Sequence, residues 1–313
     1  MKRFTKHGCR SCITVLMWGL LILTASHLAA TETENLNIRI LPTPGRIDVD
    51  GRFDDWDLSG GVFVCSDAEN LREKMAVWIH AMYDVDNLYV LARWIDETPM
   101  SNPGSISGDH GWNGDSLQLR LVARPDATNP LPICWVTAWR DRDGNDVVNL
   151  DFPKKTHEPL DDAKSRGAKQ AFLQNADGKG YTQEIALPWK TIIADGFKPE
   201  PGGQMLFSVE ANFNTGSNFR ITMKDIFRPD VTPDRVFTFQ ADRCWGYGIF
   251  QAENTMQPEK LRLADRREFT VDLRNGRPAI DWKGLYEEKK TEGFVRIDLA
   301  LPEDGFVSLN IKN

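Results

Sequence analysis

Apolar and polar residues alternate with a period of two through most of residues 38–250, the mark of strands that bury one face. Val77, Ile79, Ala81 and Tyr83 fall on one side of such a run, with Trp78, His80 and Met82 on the other. Asp84-Val85-Asp86-Asn87 is turn chemistry, and the returning run over 88–95 completes a hairpin. The same pattern predicts strands over 116–122, 133–139, 147–152, 170–173, 181–187, 205–213 and 236–240. Helical spacing is confined to a turn or two after Pro188, over 189–193. Many short strands separated by turn residues predict an all-β fold, a β-sandwich or jelly roll, rather than alternating strands and helices. This unit is expected to span 31–250. A charged connector follows, and β patterning resumes over 268–313, including two runs around Asp304-Gly305. So few strands cannot close a core alone, so 251–313 reads as a linker and a short β extension or partial module.

The first thirty residues break the pattern. Lys2, Arg3, Lys6 and Arg10 precede an apolar run over 13–23, and Ala25, Ser26, Ala29 and Ala30 follow it. This is the layout of an export signal cleaved near Ala30, which places the remainder outside the cytoplasm: secreted, on the cell surface or in the periplasm. The run is short for a membrane span. An uncleaved leader would act as an N-terminal anchor, the one membrane contact expected. The net charge of −7 comes from acidic residues spread along the chain, which argues against nucleic acid as a partner. Cys9 and Cys12 would leave with the leader, and Cys65, Cys134 and Cys244 allow one disulfide and a free thiol but no disulfide framework.

The ten tryptophans change the picture most. In "DHGWNGDSLQLRL" (109–121), an alternating strand is preceded by a loop of Gly, Asn and Asp that carries Trp112, where nothing obvious would cover it. A pyranose ring has an apolar C–H face that stacks on an aromatic plane, and hydroxyls that need amides, carboxylates and arginines around it. Trp112 lies among Asn113, Asp115, Gln118 and Arg120, and Trp135, Trp139 and Arg140 lie on a later strand. Trp56, Trp78, Trp94 and Trp189 read more simply as core or packing residues.

Other chemistries stay open on weaker signals. Asp109, Asp115, Glu184 and Glu210 could supply a glycosidase pair, but the separation such a pair needs is not visible in sequence. His80 or His110 with Met82, Met205 or Met223 could ligate haem. Asp48, Asp50, Asp54 and Asp55 crowd one turn, where carboxylate oxygens could hold Ca²⁺. A nucleophile elbow is missing, since "GSISG" (104–108) misplaces the serine by one position. "DRDGND" (141–146) reads as a hairpin turn, because its glycine falls too early for an EF-hand loop.

Five stretches, "IDVDGRFDDWD", "AMYDVDNLYVLARWIDETP", "WNGDSLQLRL", "GYTQEIALPWKTI" and "GGQMLFSVEANF", resemble in order the family 9 carbohydrate-binding modules and their DOMON-like relatives, over about residues 38–250. The resemblance implies a secreted β-sandwich with a structural Ca²⁺, found beside glycoside hydrolases or in bacterial polysaccharide-handling proteins. A DOMON-like module would instead bind haem or act as a structural spacer. Trp112 matches the loop tryptophan that forms one wall of a clamp around a terminal sugar. Gln118 stands where the family carries a glutamate, and Arg140 matches its strand arginine. The opposite wall should be a Trp after an Arg near the module's end; here Arg220 is followed by Met223, with Phe219 and Phe227 nearby. The tail "DGFVSLNIKN" resembles the start of a FlgD-like immunoglobulin module. The preferred expectation is a non-catalytic exported module that binds a polysaccharide or oligosaccharide through Trp112, Asp115, Gln118, Arg140 and Arg220. A glycoside hydrolase remains the further alternative.

Overall fold

A computed structural model of the chain describes residues 32–104, 111–123, 133–151, 161–215, 220–231, 235 and 238–253. The expected leader and the β extension beyond residue 253 lie outside the described residues, as do Asp109 and His110. Among the described residues the strands are β1 (Asn37–Pro42), β2 (Val62–Val64), β3 (Met75–Tyr83), β4 (Asn87–Asp96), β5 (Ser116–Ala123), β6 (Cys134–Arg140) and β7 (Asp146–Asp151). They continue with β8 (Asp161–Asp162), β9 (Lys169–Gln174), β10 (Tyr181–Pro188), β11 (Gln204–Asn214), β12 (Arg220–Asp225) and β13 (Gly246–Phe250). One short helix, α1 (Trp189–Ile192), follows Pro188 as the sequence predicts.

The strands form one hydrogen-bonded path, β8-β7-β6-β5-β11-β13-β1-β3-β4-β10-β9, with β12 beside β11 and β2 beside β3. Strand β1 runs parallel to both of its neighbours, while the other pairings are antiparallel. The path curls until its ends face each other in a sandwich. Alternate residues of every long strand point inward, so Val77, Ile79 and Ala81 of β3 meet Leu117, Leu119 and Leu121 of β5 and Phe207 and Val209 of β11 in one core. A polar seam joins the two ends. The Gln170 side-chain amide donates to the carbonyls of Trp139 and Val147, and that of Gln183 donates to the Ala138 carbonyl and to Gln170 Oε1. The expected all-β sandwich is what the chain forms.

Three details depart from the sequence reading. Residues 238–240 form a 3₁₀ turn rather than the end of a strand. Their hydrogen bonds are local: the Thr238 hydroxyl donates to the Arg235 carbonyl, and the Thr238 carbonyl accepts the Trp245 indole N–H. Strand β13 escapes the pattern because its "GYGIF" spends alternate positions on glycine. A Cβ at Gly246 would lie 2.1 Å from the Leu36 carbonyl oxygen, so close approach of the N-terminal segment requires the glycine. Third, Cys65, Cys134 and Cys244 are all buried, with no disulfide among them.

Candidate functional site

Because Leu117, Leu119 and Leu121 enter the core, Ser116, Gln118 and Arg120 project from the outer side of β5. Strand register then builds a polar row that no linear motif displays. Gln118 lies opposite Thr137 on β6 and Glu210 on β11, and Glu210 lies opposite Lys224 on β12. Ser116, Asn212 and Thr222 form the row on one side, and Trp135, Arg120 and Ser208 the row on the other.

Much of this surface is internally bonded. Arg120 Nη2 donates to Gln118 Oε1, Gln118 Nε2 to Thr137 Oγ1, Asn212 Nδ2 to Ser116 Oγ, and Thr222 Oγ1 to Asn212 Oδ1. The Arg120 guanidinium stacks 4.6 Å from the Trp135 ring and lies 3.8 Å from a Glu210 oxygen. Phe239 packs against Trp135, and the Lys224 ammonium sits over Phe239. Burial pushes the Arg120 pKa down, and the neighbouring Glu210 carboxylate opposes that.

Four polar atoms here are buried with no hydrogen-bond partner: Arg120 Nε, Glu210 Oε1, Trp135 Nε1 and Trp139 Nε1. Each such group costs about 1–3 kcal/mol relative to a satisfied one, so four in one region is a concentrated deficit. Three are donors and one is a carboxylate oxygen.

Trp112 stands at the end of this surface. Its turn lies on the Trp139 ring, where an added Cβ at Gly111 would come within 2.4 Å of the ring and φ is +73°. The Asn102 side-chain amide donates to the carbonyls of Gly111 and Asp115, and Arg220 Nη1 donates to the Trp112 carbonyl. Trp112, Gln118 and Arg220 therefore share one side of the sheet.

Asp115 and Arg140 are engaged elsewhere. The Asp115 carboxylate accepts the backbone N–H groups of Ser101 and Asn214, which anchors the turn below Trp112. Burial, and then the facing Asp96 carboxylate, push its pKa up to about 8. Arg140 projects from β6 in the opposite direction to Trp139; it pairs with Asp146 at 2.9 Å and covers the Phe172 ring. Thr137, Asn212 and Lys224 are the residues that sequence reasoning does not single out for the site; Arg120 is read there beside Trp112 without a role, and Glu210 enters only as a candidate catalytic carboxylate. The signal that joins them is the β5–β11–β12 register.

The acidic turn near residue 50 is arranged around its own backbone. Asp55 Oδ2 accepts the Asp48 N–H, Asp50 Oδ1 accepts the Arg52 N–H, and Arg46 and Arg52 pair with Asp48 and Asp50. Among the described residues no group of three His, Cys, Asp or Glu side chains converges as metal ligands. As placed, Asp48, Asp50, Asp54 and Asp55 do not fit a calcium site. Glu184, the other strand glutamate, accepts the N–H groups of Asp50 and Gly51 and the Trp56 indole N–H, and so fastens that turn to β10. Of the residues considered for haem, Met205 and Met223 lie in the main core, whereas His80 and Met82 project from the outer side of β3.

Two structures of a family 9 carbohydrate-binding module from Caldicellulosiruptor kristjanssonii are similar to this chain. The complex with cellotriose is 15% identical, has a TM-score of 0.45, and covers 72% of this chain and 99% of its own. The complex with glucose is 16% identical, has a TM-score of 0.47, and covers 70% of this chain and 100% of its own. No protein-family model and no curated protein matches the chain.

Proposed function

We propose that this protein is an exported, non-catalytic carbohydrate-binding module whose sugar lies along the outer side of β5 and β11, beside Trp112. The observation that carries this reading is the set of four unpartnered polar atoms. A hydroxyl both donates and accepts, so the hydroxyls of an oligosaccharide lying along the row can satisfy both Glu210 Oε1 and N–H groups of Arg120, Trp135 and Trp139. A phosphate or carboxylate only accepts, and would leave Glu210 opposed. Trp112 supplies the apolar stacking plane, and Arg220 holds its backbone in place.

Gln118 stands where the resembled family carries a glutamate, and Glu210 directly opposite returns the negative charge one strand over. Export follows from the leader, and the resemblance adds work beside enzymes that degrade the polymer.

Titration calorimetry against a panel of neutral and acidic oligosaccharides tests the reading. Trp112→Ala and Glu210→Gln are each expected to weaken binding by about tenfold or more, equivalent to about 1.4 kcal/mol, with near-ultraviolet circular dichroism unchanged. Equal affinity of wild type and both variants, or no binding to any saccharide by folded protein, would sink it.

A further inference from the structure

Trp78 does not keep the packing role its sequence context suggests. It is 39% exposed in the middle of β3, while Trp56, Trp94 and Trp189 are buried. Strand register puts it in a row on the outer side of the sheet: Phe63, Trp78, Arg93, Thr182 and Leu173, contributed in turn by β2, β3, β4, β10 and β9. Phe53 leans over this row, with the Arg93 guanidinium 4.7 Å from its ring centre. Phe53 is 40% exposed and Leu173 46%. Between β3 and β11 lie β1 and β13, so this strip is separate from the Trp112 side.

The strip is built for contact rather than left over. The Trp78 ring is held from below by Phe63 at 5.1 Å and from the side by a stacked His80 ring at 6.3 Å, which leaves one flank to solvent. Arg93, its cross-strand neighbour, forms no hydrogen bond or ion pair with any described residue. A guanidinium with no carboxylate partner among the described residues, over one exposed ring and in register with another, asks for an anion that also offers a flat apolar face. Three half-exposed side chains fall well short of the roughly 800 Å² per partner that a stable protein interface needs. One sugar residue needs only one ring and one charged neighbour.

We infer that the Trp78–Arg93–Phe53 strip is a second saccharide site, selective for a uronic acid unit whose ring stacks on Trp78 and whose carboxylate pairs with Arg93. The site does not depend on the Trp112 reading, because it shares no residue with that face. Affinity electrophoresis in gels containing polygalacturonate tests it, using the full chain, Trp78→Ala and Arg93→Gln. Wild type should be retarded. Each variant should lose about tenfold in affinity, the retardation should fall with added salt, and Trp112→Ala should leave it intact. Both substituted side chains are partly exposed, so melting temperatures within a few degrees of wild type certify folding. Unretarded wild type, or retardation unchanged in both variants, overturns the site. Loss in Trp112→Ala alone would return uronate binding to the other face. A concentration-dependent dimer in sedimentation that Trp78→Ala abolishes would assign the strip to a second copy of the chain instead.

Discussion

Glu184 and Glu210 carry the same side chain on the outer side of two strands and end in opposite situations. Glu184 accepts three N–H groups and is structural, while Glu210 keeps one buried oxygen open. Strand alternation puts both outward but cannot say which is occupied, because the occupants of Glu184 arrive from residues 50–56 through the fold. Glu184→Ala should lower stability by about 2–3 kcal/mol, through three donors left without an acceptor; urea titration measures it, and an unchanged midpoint would contradict the assignment. His80 presents a titration that no motif announces. Its ring is buried, and burial, then the Arg93 charge, lower its pKa to about 4. The unfolded chain takes up that proton near 6.5, so the folded state loses stability as pH falls from about 6.5 towards 4. Asp225, pushed up to about 6 by burial, works in the opposite sense over an overlapping range, so wild type must be compared with His80→Gln. The stability difference between them should shift by up to about 3 kcal/mol across that window, to the disadvantage of wild type at low pH. Parallel pH profiles would rule this out.

At the scale of elements, the long antiparallel strands were legible because each buries one face, and β3, β4, β5, β10 and β11 fall where the alternation puts them. Strand β13 was not, since glycine at alternate positions carries no hydrophobic signal and its partner β1 lies some two hundred residues away in sequence. The Trp112 turn was legible as an oddity and no more. Its orientation comes from Trp139 beneath Gly111, Asn102 beside it, and Asp115 holding Ser101 and Asn214. Gly111→Ala should therefore weaken saccharide binding several-fold without removing any contacting side chain, since a Cβ there needs both a strained φ and a displaced ring. Calorimetry showing unaltered affinity would separate Trp112 placement from function. Asp115 titrates with its facing partner Asp96. Its folded pKa lies above that of an unfolded carboxyl, so its contribution to stability is present at low pH and is lost as pH rises towards about 8. Asp115→Asn should flatten the decline in melting temperature between about pH 4 and 8; an equal decline in both proteins would show that the pair is not its source.

Over the whole molecule, closure of the sheet rests on Gln170 and Gln183, whose amides satisfy carbonyls on the far edge of the path. Neither glutamine looked structural in sequence, because an inward polar residue breaks the alternation and its reason lies in the facing strand. Gln183→Leu keeps the volume but strands the Ala138 carbonyl, the Trp94 indole N–H and Gln170 Oε1, and should cost about 3 kcal/mol or more. A melting temperature within a degree of wild type would refute the seam. The three sealed cysteines have a use of their own. Set at separate points of one core and its margins, they are out of reach of a thiol reagent until the strands around them part. With Cys9 and Cys12 replaced by serine, the rate at which each of the three is alkylated becomes a site-resolved clock for opening of the sandwich: Cys65 on the β2 side, Cys134 at the start of β6, and Cys244 beside β13. A common rate would mean that the fold opens as one unit; three rates would rank which edge leaves first.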